Sequence, residues 1–81
     1  MDKLDYLILN FLLTNLATSK LNAKTRSDML DKIKIGKHTL YRRIMALIKK
    51  KYVEKGFQEG QHHAYFITET GITKLQEATG Q

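Results

Sequence analysis

Residues 36–53, GKHTLYRRIMALIKKKYV, carry an amphipathic helix that runs directly into a strand, and no other feature constrains the chain as much. Leu40, Ile44, Leu47 and Ile48 recur at i, i+4, i+7 and i+8, so they fall on one side of a 3.6-residue period and are expected to bury. His38, Arg42, Met45 and Lys49 stack on the opposite side, flanked by Thr39, Tyr41, Arg43 and Ala46. That surface offers donors for phosphates, a guanidinium for base edges and few bulky obstacles. These are the needs of a helix lying in a DNA major groove.

Eighty-one residues are expected to form one domain, 1–81. A chain of this size buries only about 60 to 65% of its unfolded surface, which leaves little room for a large active-site cavity. The net charge of +6 understates a local asymmetry: Lys20 to Lys55 holds twelve basic residues against Asp28, Asp31 and Glu54, and the flanks are slightly acidic. Such a concentration suits a polyanion, with an ordinary solvated face as the plain alternative.

The absence of cysteine excludes disulfides and thiolate metal sites and fits a reducing cytoplasm. Residues 4–16 are strongly apolar, but Asp2, Asp5 and Asn10 interrupt the pattern a signal peptide needs, and no apolar run approaches membrane-spanning length. No nucleophile and base pair, paired carboxylates or glycine-rich phosphate loop stands in a recognisable arrangement, so neither catalysis, a cofactor nor a small-molecule ligand is expected. His62 and His63 are adjacent on an expected strand and should point to opposite faces, which excludes their chelating one metal.

The periodicities predict the order α, β, α, α, β, β, α. A first helix spans Asp2 to Leu16 behind a good N-cap, and a short extended piece follows at Leu21 to Ala23. Thr25-Arg26-Ser27-Asp28 has capping-box spacing and opens a second helix whose Met29, Leu30 and Ile33 point inward. After a turn at Lys34 to Gly36 comes the cationic helix, then strands at Val53 to Phe57 and His62 to Ile67. Gly60 supplies the positive φ their connection needs. Thr68 caps a final helix, Glu69 to Thr79, with Ile72, Leu75 and Ala78 inward.

Three stretches resemble the winged helix-turn-helix DNA-binding proteins, and together they span nearly the whole chain. Asp28 to Leu40 looks like the helix-turn-helix, with Ile33 and Ile35 flanking the turn and Thr39-Leu40 entering the recognition helix. Leu47 to Val53 is similar to the family's helix end and strand entry. Tyr65-Phe66-Ile67-Thr68-Glu69-Thr70-Gly71 looks like the motif that closes the wing in bacterial MarR and PadR regulators. The resemblance implies an α+β winged helix with a three-helix core, a two- to three-stranded wing and a C-terminal helix. Lys34 stands where the turn usually has glycine, and Gly36 where a serine cap is usual. The wing tip carries Glu59 and no arginine, which reduces the wing to a secondary contact.

The expected contacts follow. Lys24, Arg26, Lys37 and Lys49 hold phosphates of double-stranded DNA, His38, Thr39, Arg42 and Tyr41 approach base edges, Arg43 also meets DNA, and Lys55, Gln61 and His62 act from the wing. Tyr41 has the alternative of half-buried packing, and Lys49-Lys50-Lys51 that of complementing the helix dipole. On the first helix Tyr6, Leu9, Leu13 and Leu16 form a second apolar stripe; either the final helix and the wing strands absorb it, or it makes a twofold homodimer. The expected function is that of a small transcriptional regulator acting as a homodimer; the alternative on the same fold is an accessory DNA-binding protein of a plasmid or other mobile element, acting at a replication, partition or conjugative transfer origin. A protein-interaction module with a basic face is the alternative of another class.

Overall fold

Asp2 opens helix α1 (Lys3–Thr14), its carboxylate accepting from the Leu4 amide at 2.7 Å. The computed structural model describes residues 1–58 and 60–79, so the reading of Glu59 lies outside the described residues. The helix stops two residues short of expectation because Leu16 turns left-handed (φ 59°). Its amide bonds Leu13 O while that of Ala17 bonds Leu12 O, a Schellman closure with leucine where glycine is usual. Helix α3 (Lys37–Lys49) ends the same way: Lys51 has φ 71°, and the Lys51 and Tyr52 amides bond Ile48 O and Leu47 O.

Residues 19–22 form a turn rather than the extended piece expected there, and strand β1 is displaced to Lys24–Thr25, the residues that reach the sheet edge. Thr25 then caps helix α2 (Arg26–Leu30). Its hydroxyl accepts from the Asp28 amide at 3.2 Å and its own amide donates to the Asp28 carboxylate at 3.0 Å, the reciprocal capping box expected. Ile33 is buried beyond the helix end, held by a bond from its amide to Met29 O. Gly36 begins α3 without a side-chain cap.

Strands β2 (Val53–Lys55) and β3 (Ala64–Ile67) form the wing, with β3 central in the antiparallel order β1-β3-β2. Both are shorter than expected. Gly56 crosses close to Lys20 and Ala23, and the Phe57 amide then bonds Lys20 O instead of continuing the ladder. Gly60 has φ 60°, as its turn requires. The Thr68 hydroxyl accepts from the Gly71 amide at the start of α4 (Glu69–Ala78) and donates to Lys51 O at 2.7 Å, so one side chain ties the end of α3 to the start of α4.

Ile8, Leu12, Met29, Leu40, Ile44, Leu47, Val53, Tyr65 and Ile67 meet in one core, each essentially inaccessible to solvent. Burial at this level stabilises by roughly 1.5–3 kcal/mol per large apolar side chain. Two expectations are corrected. Leu9 is fully buried inside the protomer, because α4 packs against α1 and covers part of the second stripe, so it has no surface to give a dimer. Tyr6 and Leu13 are half-buried, and Leu16 is 70% exposed. On α4 the inner face is Gly71 and Leu75, with Ile72 at its edge; Ala78 is exposed at the helix end.

Candidate nucleic-acid interface

The two flanks of α3 face different neighbours. On one, Arg43 reaches α1, its guanidinium 2.7 Å from the Asp2 carboxylate and 3.8 Å from that of Asp5. Asp5 is buried with its Oδ1 unbonded, so the guanidinium is the charge that compensates it. This corrects the expected contact of Arg43 with DNA: the helical period turns it towards α1, where two carboxylates engage it.

On the other flank Lys37, His38 and Tyr41 face α2 and the wing. With Arg26, Ser27 and Leu30, and with His62 and His63 from the wing, they line an open cleft of about 460 Å³. The Arg26 guanidinium stacks over the Tyr41 ring. Burial pushes the pKa of the nearby Tyr65 phenol up; the Arg26 charge opposes that shift and Tyr41 adds to it.

Between the flanks Thr39, Arg42, Ala46 and Lys49 are exposed, while Met45 of the same stripe leans back onto the core. The ion pairs among the described residues involve only the cations of Arg43 and Lys74, so Arg42 keeps its charge for a partner. Lys49 lies at the far end of the helix, about 18 Å along the axis from Lys37 at 1.5 Å per residue. Lys24 and Lys55 pair with Tyr65 from either side of β3 and share its face. Gln61 is exposed on the wing turn.

The fold thus brings Arg26, Lys37, His38, Tyr41 and His62 together and leaves Arg43 and Lys49 apart from them. Sequence reasoning missed Ser27 and His63. His62 and His63 both contribute to the lining of this cleft, just ahead of β3, which begins at Ala64. A usable signal was the polar run Gln61-His62-His63, which has no apolar partner before Ala64.

A DNA-binding protein TubR from a Clostridium botulinum C phage is 31% identical over 75 residues, 93% of each chain. The chain belongs to the TubR family. The DNA-binding TubR fragment from Clostridium botulinum superposes with a TM-score of 0.77 at 29% identity, covering 96% of both chains. TubR from Bacillus megaterium pBM400 shares the fold at a TM-score of 0.89 and 21% identity, over all of this chain and 89% of that one. F93 from STIV, a winged-helix DNA-binding protein, matches at 0.68 and 28% identity, over 91% of this chain and 80% of that one. No family model matches the chain. In this TubR-family chain α2 and α3 are the helix-turn-helix of an α+β winged helix, and β2 and β3 its wing. Among the described residues no helix is long and apolar enough to cross a membrane.

Proposed function

We propose that this chain binds double-stranded DNA with sequence preference and without catalysis, laying α3 in the major groove. The observation that carries this reading is the division of α3: Leu40, Ile44 and Leu47 are buried while His38, Thr39, Arg42 and Lys49 are exposed, beside a cleft with no carboxylate among the described residues of its lining. Thr39, Arg42 and His38 approach base edges, Lys24, Arg26, Lys37 and Lys49 hold phosphates, and Lys55, Gln61 and His62 add a secondary wing contact.

The wing-closing motif from Tyr65 to Gly71, similar to that of MarR and PadR regulators, supports a small cytoplasmic transcriptional regulator. The phage source of the TubR relative favours a second reading, an accessory DNA-binding protein of a plasmid or other mobile element, acting at a replication, partition or transfer origin. A twofold homodimer belongs to both. Its support is Leu16, a leucine 70% exposed in a left-handed conformation that costs about 1–2 kcal/mol, with Tyr6 and Leu13 half-buried on the same helix.

Selection of bound duplexes from a random pool, followed by titration at several salt concentrations, tests the reading. A shared sequence should emerge, with log K falling against log salt at a slope of about −4 per protomer for four phosphates. Whether the selected sequence lies at a promoter or at an origin separates regulator from accessory factor. Failure to bind any duplex would leave the basic face as a protein-interaction surface.

A further inference from the structure

Two of the three arginines in the chain, Arg26 and Arg43, are engaged within the protomer. The Arg43 guanidinium lies 2.7 Å from the Asp2 carboxylate and 3.8 Å from that of Asp5, and the Arg26 guanidinium stacks over the Tyr41 ring. Arg42 is exposed and, among the described residues, has no carboxylate partner. At 3.6 residues per turn, Thr39, Arg42 and Ala46 fall within about 60° of the circumference of α3, and all three are exposed. Met45 leans back onto the core and adds nothing to this sector. The helix, KHTLYRRIMALIK, has no Asn or Gln, the side chains that pair bidentately with adenine, and no Asp or Glu to accept from the cytosine amino group.

We propose that α3 reads one guanine and the methyl groups of neighbouring thymines: Arg42 bonds O6 and N7 of the guanine, while Thr39 and Ala46 pack their methyls against thymine methyls. The inference rests on the DNA-binding reading above and adds to it the identity of the bases read. A guanidinium only donates, and in the major groove it finds two adjacent acceptors on guanine alone, because adenine carries an amino group where guanine carries O6. Thr39 and Ala46 lie about 4.5 Å and about 6 Å along the axis on either side of Arg42, against about 3.4 Å per base step, so the thymines stand one or two steps from the guanine pair. Both side chains are short, so the longer Arg42 projects between them. Thymine offers such residues its methyl group, the one apolar feature of the major-groove edge. Adenine and cytosine have no side chain of their own on this helix, and the motif is correspondingly short.

The test takes the duplex selected from a random pool and compares base analogues within it, by fluorescence anisotropy of the natural chain. Adenine in place of the read guanine should weaken binding roughly fivefold to a hundredfold, and deazaguanine, which lacks N7, should weaken it too. Hypoxanthine keeps O6 and N7 and loses only the minor-groove amino group, so it should bind as guanine does. Uracil for a flanking thymine should weaken binding roughly twofold to fourfold, the effect of one buried methyl. Glutamine pairs with adenine N6 and N7, so R42Q should prefer the duplex with adenine at that position over the one with guanine. T39S and A46G should each cease to distinguish thymine from uracil at one position. Selected duplexes that share no G·C pair, or a natural chain indifferent to deazaguanine, would overturn the proposal while leaving DNA binding intact. So would a penalty for hypoxanthine as large as that for adenine, which would move the reading to the minor groove and the wing. R42Q that weakens guanine and adenine duplexes alike would make Arg42 a phosphate contact and overturn the proposal; if R42Q fails to fold, the analogue series on the natural chain decides. Absence of binding to any duplex would bring down the DNA reading itself, and the proposal with it.

Discussion

The guanidinium of Arg26 lies over the ring of Tyr41, its central carbon 4.9 Å from the ring centroid. The contact bridges α2 and α3 at the edge of the cleft and holds a cation beside the first turn of the recognition helix. Such a stack is worth about 0.5–1 kcal/mol at an exposed site. Tyr41→Leu should therefore raise the Kd for a selected duplex about twofold to fivefold, and Tyr41→Phe should leave it unchanged. Equal losses in both variants, measured by anisotropy, would show that the Tyr41 hydroxyl is the working group, as a direct phosphate bond requires.

Arg42 and Lys49 share the outward face of α3 but should act differently. Arg42→Ala is expected to cost about 1–3 kcal/mol on the selected sequence and to relax preference at one base pair. Lys49→Ala should weaken all sequences alike and reduce the salt slope by about one. Affinities for a panel of single-base variants at two salt concentrations distinguish them, and unchanged selectivity in Arg42→Ala would remove α3 as the reading element.

Arg43 should prove structural. Removing it leaves the buried Asp5 carboxylate without a countercharge, so Arg43→Ala is expected to lower stability by about 1–3 kcal/mol. The exposed pair with Asp2 contributes about 0–1 kcal/mol of any loss. Asp5→Asn added to Arg43→Ala should recover much of that stability. Urea unfolding gives the comparison, and duplex affinity of the folded variant should stay within about twofold.

Leu16 sets protomer stability against assembly. Glycine in its place removes left-handed strain and an exposed apolar side chain, so Leu16→Gly should stabilise the isolated protomer by up to about 1 kcal/mol. The same substitution should shift the sedimenting species from dimer to monomer at micromolar concentration. A natural chain that sediments as a monomer while binding its selected site tightly would eliminate the dimer.

Gly71 permits the closest approach between α4 and the wing base. A Cβ there would collide with the Tyr52 carbonyl oxygen and lie 2.8 Å from Ile67 Cγ1. The carbonyl cannot retreat without losing its bond from the Thr68 amide. Gly71→Ala should cost about 1–3 kcal/mol, which lowers the melting temperature by several degrees in a domain of this size.

Much of the fold was legible because its determinants act within a few residues. Asp2, Thr25 and Thr68 cap helices through side chains that bond amides two or three positions on. The period of Leu40, Ile44 and Leu47 decides which face of α3 is buried, and with it that Thr39 and Arg42 look outward. Gly60 takes the positive φ that its turn demands. These are local properties of a chain, readable from spacing and residue type.

What the tertiary structure decided is where local rules allow several answers and a distant partner selects one. Strand β1 forms at Lys24–Thr25 because those residues meet the edge of β3, and α1 stops where Leu16 and Ala17 close back onto it. A helical wheel of α1 places Leu9 on a spare stripe, but it cannot reveal that α4 crosses that side and buries it. The same wheel on α3 places Arg43 beside the reading face, and only the docking of α1 brings Asp2 and Asp5 to it. The histidine cleft is the plainest case. His38 and the pair His62-His63 are separated in sequence by most of α3 and by β2, and they line one cleft only because the wing folds back beside the helices. Charge and periodicity along the chain mark the helix that faces a ligand; which side chains share a cleft depends on long-range packing.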